Sequence, residues 1–360
     1  MKGRYKALWL DEGRNLVVLD QRALPFEEKT VTITDAAECV EAIKNMTVRG
    51  AGVIGNTAAF GVALAARECG GDLSRLAPLA AAIRASRPTA VNLMWAVDRM
   101  METARGAEPA ERVERLYAEA TAIADEDVAR SHAIAVHGAD RFEALMREKG
   151  RTSIDILTHC NAGWLAIVDE GTALAPVYEL HRRGIDVHVW VDETRPRNQG
   201  ANLTAWELAR AGVKHTVIAD NTGGHLMQHG LVDACIVGAD RVTRNGDVAN
   251  KIGTYLKALA AADNGVPFYV ALPASTFDFS LVDGVRQIPI ETRGEEEVTR
   301  MRGLDDAGQV RSVRIVPEGS PALNYGFDVT PARLVTGLIT ERGICEASTA
   351  AVEAMFGDLL

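Results

Sequence analysis

The sequence predicts an α/β protein: a mainly helical N-terminal domain over residues 1–150 with a small N-terminal sheet, then a Rossmann-like, doubly wound parallel-sheet domain over residues 151–360. Two features predict this. Before Gly150, apolar residues recur at helical spacing. After it, five short apolar runs are each followed by a helix-like segment, and strands alternating with helices build a parallel sheet covered on both faces.

Taken in order, KALWL (6–10) and NLVVLD (15–20) read as short strands, and helices are expected over 35–46, 55–67, 78–85, 90–103 and 109–148. In the first of these, Ala37, Val40, Ile43 and Met46 share one helical face. RGAGVIG follows, with Gly50, Gly52 and Gly55 spaced as G-x-G-x-x-G. A dinucleotide turn needs a strand before its glycines and an acid for the ribose about 20 residues on. Here a helix leads in, and the acid nearest that distance, Asp72, sits in the loop CGGDLS without a strand before it. A glycine-rich helix start beside Arg49 suits an oxyanion instead, gripped by free amides and a guanidinium fork.

Beyond Gly150 the expected strands are IDILTH (154–159), VHVWVD (187–192), HTVIAD (215–220), ACIVGAD (234–240) and PFYVALP (267–273). Ligands of such sheets sit outside the carboxyl ends of the strands. There stand Thr158-His159-Cys160-Asn161, Asp192-Glu193-Thr194-Arg195, Asp220-Asn221, Gly238-Ala239-Asp240-Arg241 and Pro273-Ala274-Ser275. His159 and Cys160 are neighbours whose side chains should diverge, so one of them faces the cleft. Asp220 and Asn161 are candidate helix caps, and Ser275 a cap or turn residue. His225 and His229 lie one helical turn apart but lack a third ligand, so no metal is expected.

At 360 residues and 47% hydrophobic content the chain can bury a large core. A net charge of −10 argues against nucleic acid or an anionic membrane as partner, while leaving a small phosphorylated ligand open. Five scattered cysteines without a C-x-x-C exclude a disulfide framework or zinc site. MKGRYKALWL lacks the apolar core of a signal peptide, which makes a cytoplasmic location the expectation.

Several long stretches resemble the methylthioribose-1-phosphate isomerase family: RGAGVIGNTAAFG, RPTAVNLMWAVDRM, THCNAG, DETRPRNQGANLTAWEL, VGADRVTRNGDVANKIGTYLKALA and FDVTPARLVTGLITERG. These are cofactor-independent aldose–ketose isomerases of methionine salvage, similar in fold to regulatory subunits of a translation-initiation nucleotide-exchange factor. The resemblance implies conversion of 5-methylthioribose 1-phosphate to 5-methylthioribulose 1-phosphate by a homodimer. It implies Cys160 and Asp240 as the catalytic pair, and Arg49, Gly50, Ala51, Arg87, Gln199, Asn250 and Lys251 as the substrate-binding set. Two departures stand out: Gly52 where the family usually has the proline of R-G-A-P, and DNTGGHLMQHG in place of D-N-x-A-G-x-L-M. The competing readings are the same reaction on 5-deoxyribose 1-phosphate or ribose 1,5-bisphosphate, and a non-catalytic subunit that senses a sugar phosphate or nucleotide.

The chemistry suits these residue types. In a sugar 1-phosphate the anomeric oxygen is locked in an ester, so the ring cannot open to a free aldehyde. An acid must protonate the ring oxygen while hydrogen moves from C2 to C1. Burial can raise the Asp240 carboxyl from about 4 so that it serves as that acid. A helix start at NAGWLA is expected to favour the Cys160 thiolate as its partner at C2, and a direct hydride shift is the rival route. Lys251, near the start of KIGTYLKALAA, is expected to bind phosphate, with Arg49 and Arg87 closing from the helical domain. Trp9, Trp164, Met94 and Met227 are the apolar candidates for receiving a methylthio group.

Overall fold

The computed structural model describes residues 7–87 and 91–360. Lys6 of the first expected strand, residues 88–90 of RPTAVNL and with them the first residue of the helix expected over 90–103 lie outside the described residues. The chain opens with an antiparallel sheet of β1 (Leu8–Leu10), β2 (Leu16–Leu19) and β3 (Thr30–Ile33). Five helices follow: α1 (Ala36–Lys44), α2 (Ala51–Glu68), α3 (Leu73–Arg84), α4 (Val91–Gly106) and α5 (Arg112–Lys149). Helix α2 is apolar or small on every side and buried from Gly52 to Ala66, which makes it the centre of this layer. Gly150 ends α5 in a left-handed conformation.

Then strands and helices alternate: β4 (Ser153–Thr158), α6 (Ala175–Arg182), β5 (Asp186–Asp192), α7 (Ala205–Ala211), β6 (Lys214–Ile218), α8 (Thr222–Gln228) and β7 (Ala234–Val237). Next come β8 (Arg241–Thr243), β9 (Val248–Lys251), α9 (Thr254–Asp263), β10 (Phe268–Ala271) and β11 (Phe277–Asp278). After two short helices, α10 (Gly284–Gln287) and α11 (Glu296–Thr299), a hairpin of β12 (Arg300–Leu304) and β13 (Val310–Arg314) leads to β14 (Phe327–Thr330). The chain closes with β15 (Gly337–Thr340), β16 (Gly343–Cys345) and α12 (Thr349–Phe356).

The main sheet has the order β16-β15-β10-β7-β4-β5-β6, parallel throughout except for edge strand β16. Its six parallel strands therefore follow the doubly wound order, β6-β5-β4 winding one way and β7-β10-β15 the other. The winding reverses between β4 and β7, and a crevice opens where their carboxyl ends part. The expected α/β class and all five expected strands are present. The sixth, β15, escaped the pattern because it holds only two large apolar residues, Leu338 and Ile339.

A second sheet, ordered β11-β8-β9-β14, was also not expected. Its strand β9 corrects the expected position of Lys251, which ends that strand while α9 begins only at Thr254. The segment after Cys160 corrects another expectation: residues 161–174 form turns, so no helix start abuts the thiol. A continuous buried cluster runs from Ala7 through α2 and α5 to the main-sheet strands, and fixes the helical layer against the crevice.

Candidate active site

Strand β4 delivers the chain to His159 and Cys160, whose side chains part as expected. His159 turns inward, its Nε2 donating to the Ile252 carbonyl (2.8 Å) and its Nδ1 hydrogen-bonded to Asp192 Oδ2 (2.8 Å). Cys160 takes φ +68°, a left-handed backbone that costs a non-glycine residue about 1–2 kcal/mol. Two threonines hold it there: its N–H donates to Thr194 Oγ1 (2.8 Å) and its carbonyl accepts from Thr204 Oγ1 (2.7 Å). Asp220 accepts from the N–H groups of Thr194 and Arg195 and so fixes that support in turn. Asp220 and Asn161 thus do not cap helices; Asn161 links Arg49 to Glu207.

Glu207 anchors the turn beyond Cys160. It is fully buried and accepts from Asn161 Nδ2 (2.8 Å), Trp164 N (2.9 Å), Leu165 N (3.0 Å) and the Tyr178 hydroxyl (2.9 Å). Burial outweighs these four donors and pushes its carboxyl up to about 7.

Across the switch point, β7 ends at Val237 and the chain reaches Asp240, whose N–H donates to the Ala249 carbonyl (2.9 Å). Burial raises the Asp240 carboxyl above the usual range, against the pull of Lys251, Arg87 and Arg49. Lys251 donates to the Gly326 carbonyl (2.9 Å) and lies over the Phe327 ring. Burial lowers its ammonium, opposed by Cys160 and Asp240. Asn250 donates to Thr254 Oγ1 (3.0 Å).

The helical layer supplies the opposite wall. Gly50 caps α2 at φ +91°, and a Cβ there would sit 2.5 Å from Ala166 Cα. Its glycine is therefore required twice over, by conformation and by the close approach of the 161–174 turn. The N–H groups of Ala51 and Gly52 have no acceptor among the described residues, as an anion site at a helix start requires. Arg49 donates to Asn161 Oδ1 (2.6 Å) and O (2.8 Å), and Arg87 faces Glu291 at 3.8 Å. Burial lowers the Arg87 guanidinium, with Glu291 and Asp240 opposing.

One cavity of about 90 Å³ has on its lining Cys160, Asp240, Arg49, Gly50, Ala51, Arg87, Gln199, Asn250 and Lys251, all nine residues singled out from the sequence. The site also holds a residue the sequence did not single out. Asn92, 5% exposed in the first turn of α4, donates to Ser275 Oγ (3.1 Å), and its buried Oδ1 has no hydrogen-bond partner among the described residues. As the one polar residue in AVNLMWAV it carried a visible mark. Met46, Ile54 and Ile288–Ile290 supply apolar wall. Trp9, Trp164, Met94 and Met227 do not line the cavity; Trp164 and Met227 are core residues, which corrects the expected thioether pocket.

His159, Asp192 and Asp220 converge closely enough to hold a cation, but Lys257 already fills that role, contacting Asp192 Oδ2 at 3.3 Å and donating to the Asp220 carbonyl. The rings of His225 and His229 pack against each other at a tilt at the end of α8, without a third ligand among the described residues. No helix among the described residues is long and apolar enough to cross a membrane.

A family model described as the initiation factor 2 subunit family matches residues 47–347. The chain is 60% identical to a methylthioribose-1-phosphate isomerase of Sulfurimonas denitrificans, over 99% of each chain. It is 59% identical to one of Rhodospirillum centenum, covering 98% of this chain and 94% of that one. A crystal structure of 5-methylthioribose 1-phosphate isomerase from Pyrococcus horikoshii superposes with a TM-score of 0.84 at 38% identity, covering 99% and 100% of the two chains. A crystal structure of the translation initiation factor eIF-2B delta subunit from A. fulgidus superposes with a TM-score of 0.81 at 36% identity, covering 98% and 99%.

Proposed function

The chain belongs to the initiation factor 2 subunit family, and on that footing we propose that it is an aldose–ketose isomerase converting 5-methylthioribose 1-phosphate to 5-methylthioribulose 1-phosphate. The observation that carries this reading is the pairing of a thiol and a desolvated carboxyl, Cys160 and Asp240, on either side of the strand-order reversal and facing one cation-lined cavity. A pure sensor of the same ligand needs neither group.

Asp240 in its protonated form gives its proton to the ring oxygen as the C1–O bond breaks. Hydrogen leaves C2 and arrives at C1, the C2 hydroxyl loses its proton, and C2 becomes the ketone with the phosphate still on C1. C2 is oxidised and C1 reduced within one molecule, so the step balances without a redox cofactor. Cys160 stands at C2, where it takes the hydrogen as a proton or polarises a direct hydride shift; solvent deuterium appearing at C1 of the product marks the former. Arg49, Arg87, Lys251 and the start of α2 bind the phosphate, while Gln199 and Asn250 hold the sugar. The domains proposed over 1–150 and 151–360 meet at this cavity, where exclusion of water protects the intermediate. The apolar wall of Met46, Ile54 and Ile288–Ile290 favours a methylthio group over a second phosphate. The protein is proposed to act in the cytoplasm as a homodimer.

The test is to supply purified protein with 5-methylthioribose 1-phosphate, 5-deoxyribose 1-phosphate and ribose 1,5-bisphosphate, without added cofactor, and compare kcat/KM. Turnover highest on the first supports the proposal; no turnover on any of them removes it and favours a sensor.

A further inference from the structure

Behind the reaction cavity, two of its residues are tied together by a side chain that does not line it. His159 is buried and directly precedes Cys160 in the chain. Its Nε2 donates to the carbonyl of Ile252, the residue directly after Lys251. One imidazole therefore joins the chain leaving β4, which carries the thiol, to the chain leaving β9, which carries the ammonium.

The ring is held from both sides. Its Nδ1 is hydrogen-bonded to Asp192 Oδ2, which Lys257 also contacts at 3.3 Å, so two partners fix that carboxyl. On the other side the turn after Lys251 lies against the imidazole. Gly253 adopts φ +102°, and a Cβ there would stand 3.0 Å from both Cε1 and Nε2 of His159, so only glycine lets the turn approach this closely. A ring that merely filled space would need no partner at either nitrogen, yet here each faces an oxygen, and the Ile252 carbonyl can only accept. Lys251 depends on the same turn. Its Nζ and the Ile252 N–H both donate to the Gly326 carbonyl (2.9 and 3.2 Å), so a shift of Ile252 disturbs the seat of the ammonium. Asp328 ties the turn to β14 by accepting from Gly253 N (2.7 Å) and Tyr255 N (3.1 Å), and His159 supplies the tie to β4.

We propose that His159 is a positioning residue: it sets the separation of the Cys160 thiol and the Lys251 ammonium, so that a sugar held by its phosphate presents C1 and C2 to the thiol. The inference rests on the sugar-phosphate reading of the cavity. Its test separates the two halves of the ring. In His159→Gln the side chain reaches as far as Nε2 and keeps a donor for the Ile252 carbonyl, leaving Asp192 to Lys257. In His159→Asn it stops at the position of Nδ1, keeps Asp192 and leaves the carbonyl without that donor. Each variant loses one hydrogen bond, so urea unfolding should show similar midpoints for the two. KM should divide them: about three- to tenfold above wild type in His159→Asn, the worth of one hydrogen bond, and within about twofold in His159→Gln, with kcat changing less than KM. A merely structural ring would make activity follow stability in both. Calorimetric titration with inorganic phosphate repeats the comparison without turnover, so a wild type that binds phosphate and converts no sugar phosphate counts against the isomerase alone. If His159→Asn does not unfold cooperatively, Gly253→Ala takes its place, because its methyl meets the ring and pushes the same turn away. Wild-type KM and phosphate affinity in His159→Asn or Gly253→Ala, or equal losses in His159→Gln and His159→Asn, overturn the proposal.

Discussion

Replacing Glu207 by glutamine keeps the shape of the side chain and removes its charge, and the consequence depends on pH in a way the surroundings fix. Every partner of this buried carboxyl is a donor: two main-chain N–H groups, one side-chain amide and one hydroxyl. Tyr178 can rotate its hydroxyl to accept from the new NH2 group, but Trp164 N–H cannot, so the variant leaves at least one buried N–H facing a donor, at about 1–3 kcal/mol. Against that stands the carboxyl's own titration. Its value rises from 4.5 to about 7 on folding, so the folded state holds the proton more tightly than the unfolded chain. That contribution is complete below about pH 4.5 and is lost as pH climbs to about 7, a total of about 3 kcal/mol. Urea unfolding of both proteins from about pH 5 to about pH 8 should therefore show wild type ahead at the acid end. Its advantage should shrink by about 2–3 kcal/mol towards the alkaline end, because glutamine does not titrate. Stability curves that run parallel over this range would refute the assignment of a raised carboxyl to Glu207.

Cys160→Ser and Asp240→Asn should each lower kcat by about 10²–10⁴ while both variants still unfold cooperatively in urea, since both side chains face the cavity. Asp240 is raised by burial and must be protonated to act, so activity should fall as pH rises through its folded value. Lys251→Met removes a charge that pulls that value down, so in a rate–pH profile the falling limb should move to higher pH while KM increases. Gly50→Ala should destabilise by about 2–4 kcal/mol in urea unfolding, combining left-handed strain with the clash against Ala166. Sedimentation should give twice the 38.7 kDa chain mass if the protein is the proposed dimer.

The strand–helix alternation after Gly150 was legible because each of the five strands carries its own apolar run, and the rule that ligands gather at carboxyl ends put Cys160 and Asp240 among the candidates, while the family resemblance alone singled them out as a pair. The helical course before RGAGVIG exposed the glycine spacing as a helix start, which α2 beginning at Ala51 bears out. What stayed hidden depends on tertiary pairing. Strand β9 has only Val248 and Ala249 as apolar residues and exists because β8 and β14 flank it, so in the sequence Lys251 reads as the start of the following helix. The turn after Cys160 contains apolar residues at helical intervals, yet Glu207 and the Ala166 contact with Gly50 bind its backbone in a non-helical path. The aromatic and thioether candidates rest on residue type, and type alone does not say which large side chains face a cavity and which fill the core.

A crystal structure with the ketose phosphate bound addresses the proposed chemistry most directly. The phosphate should lie against the Ala51 and Gly52 amides with Arg49 and Lys251, and C1 and C2 should sit between the Cys160 thiol and the Asp240 carboxyl. A sugar bound with both carbons out of reach of either group would contradict it.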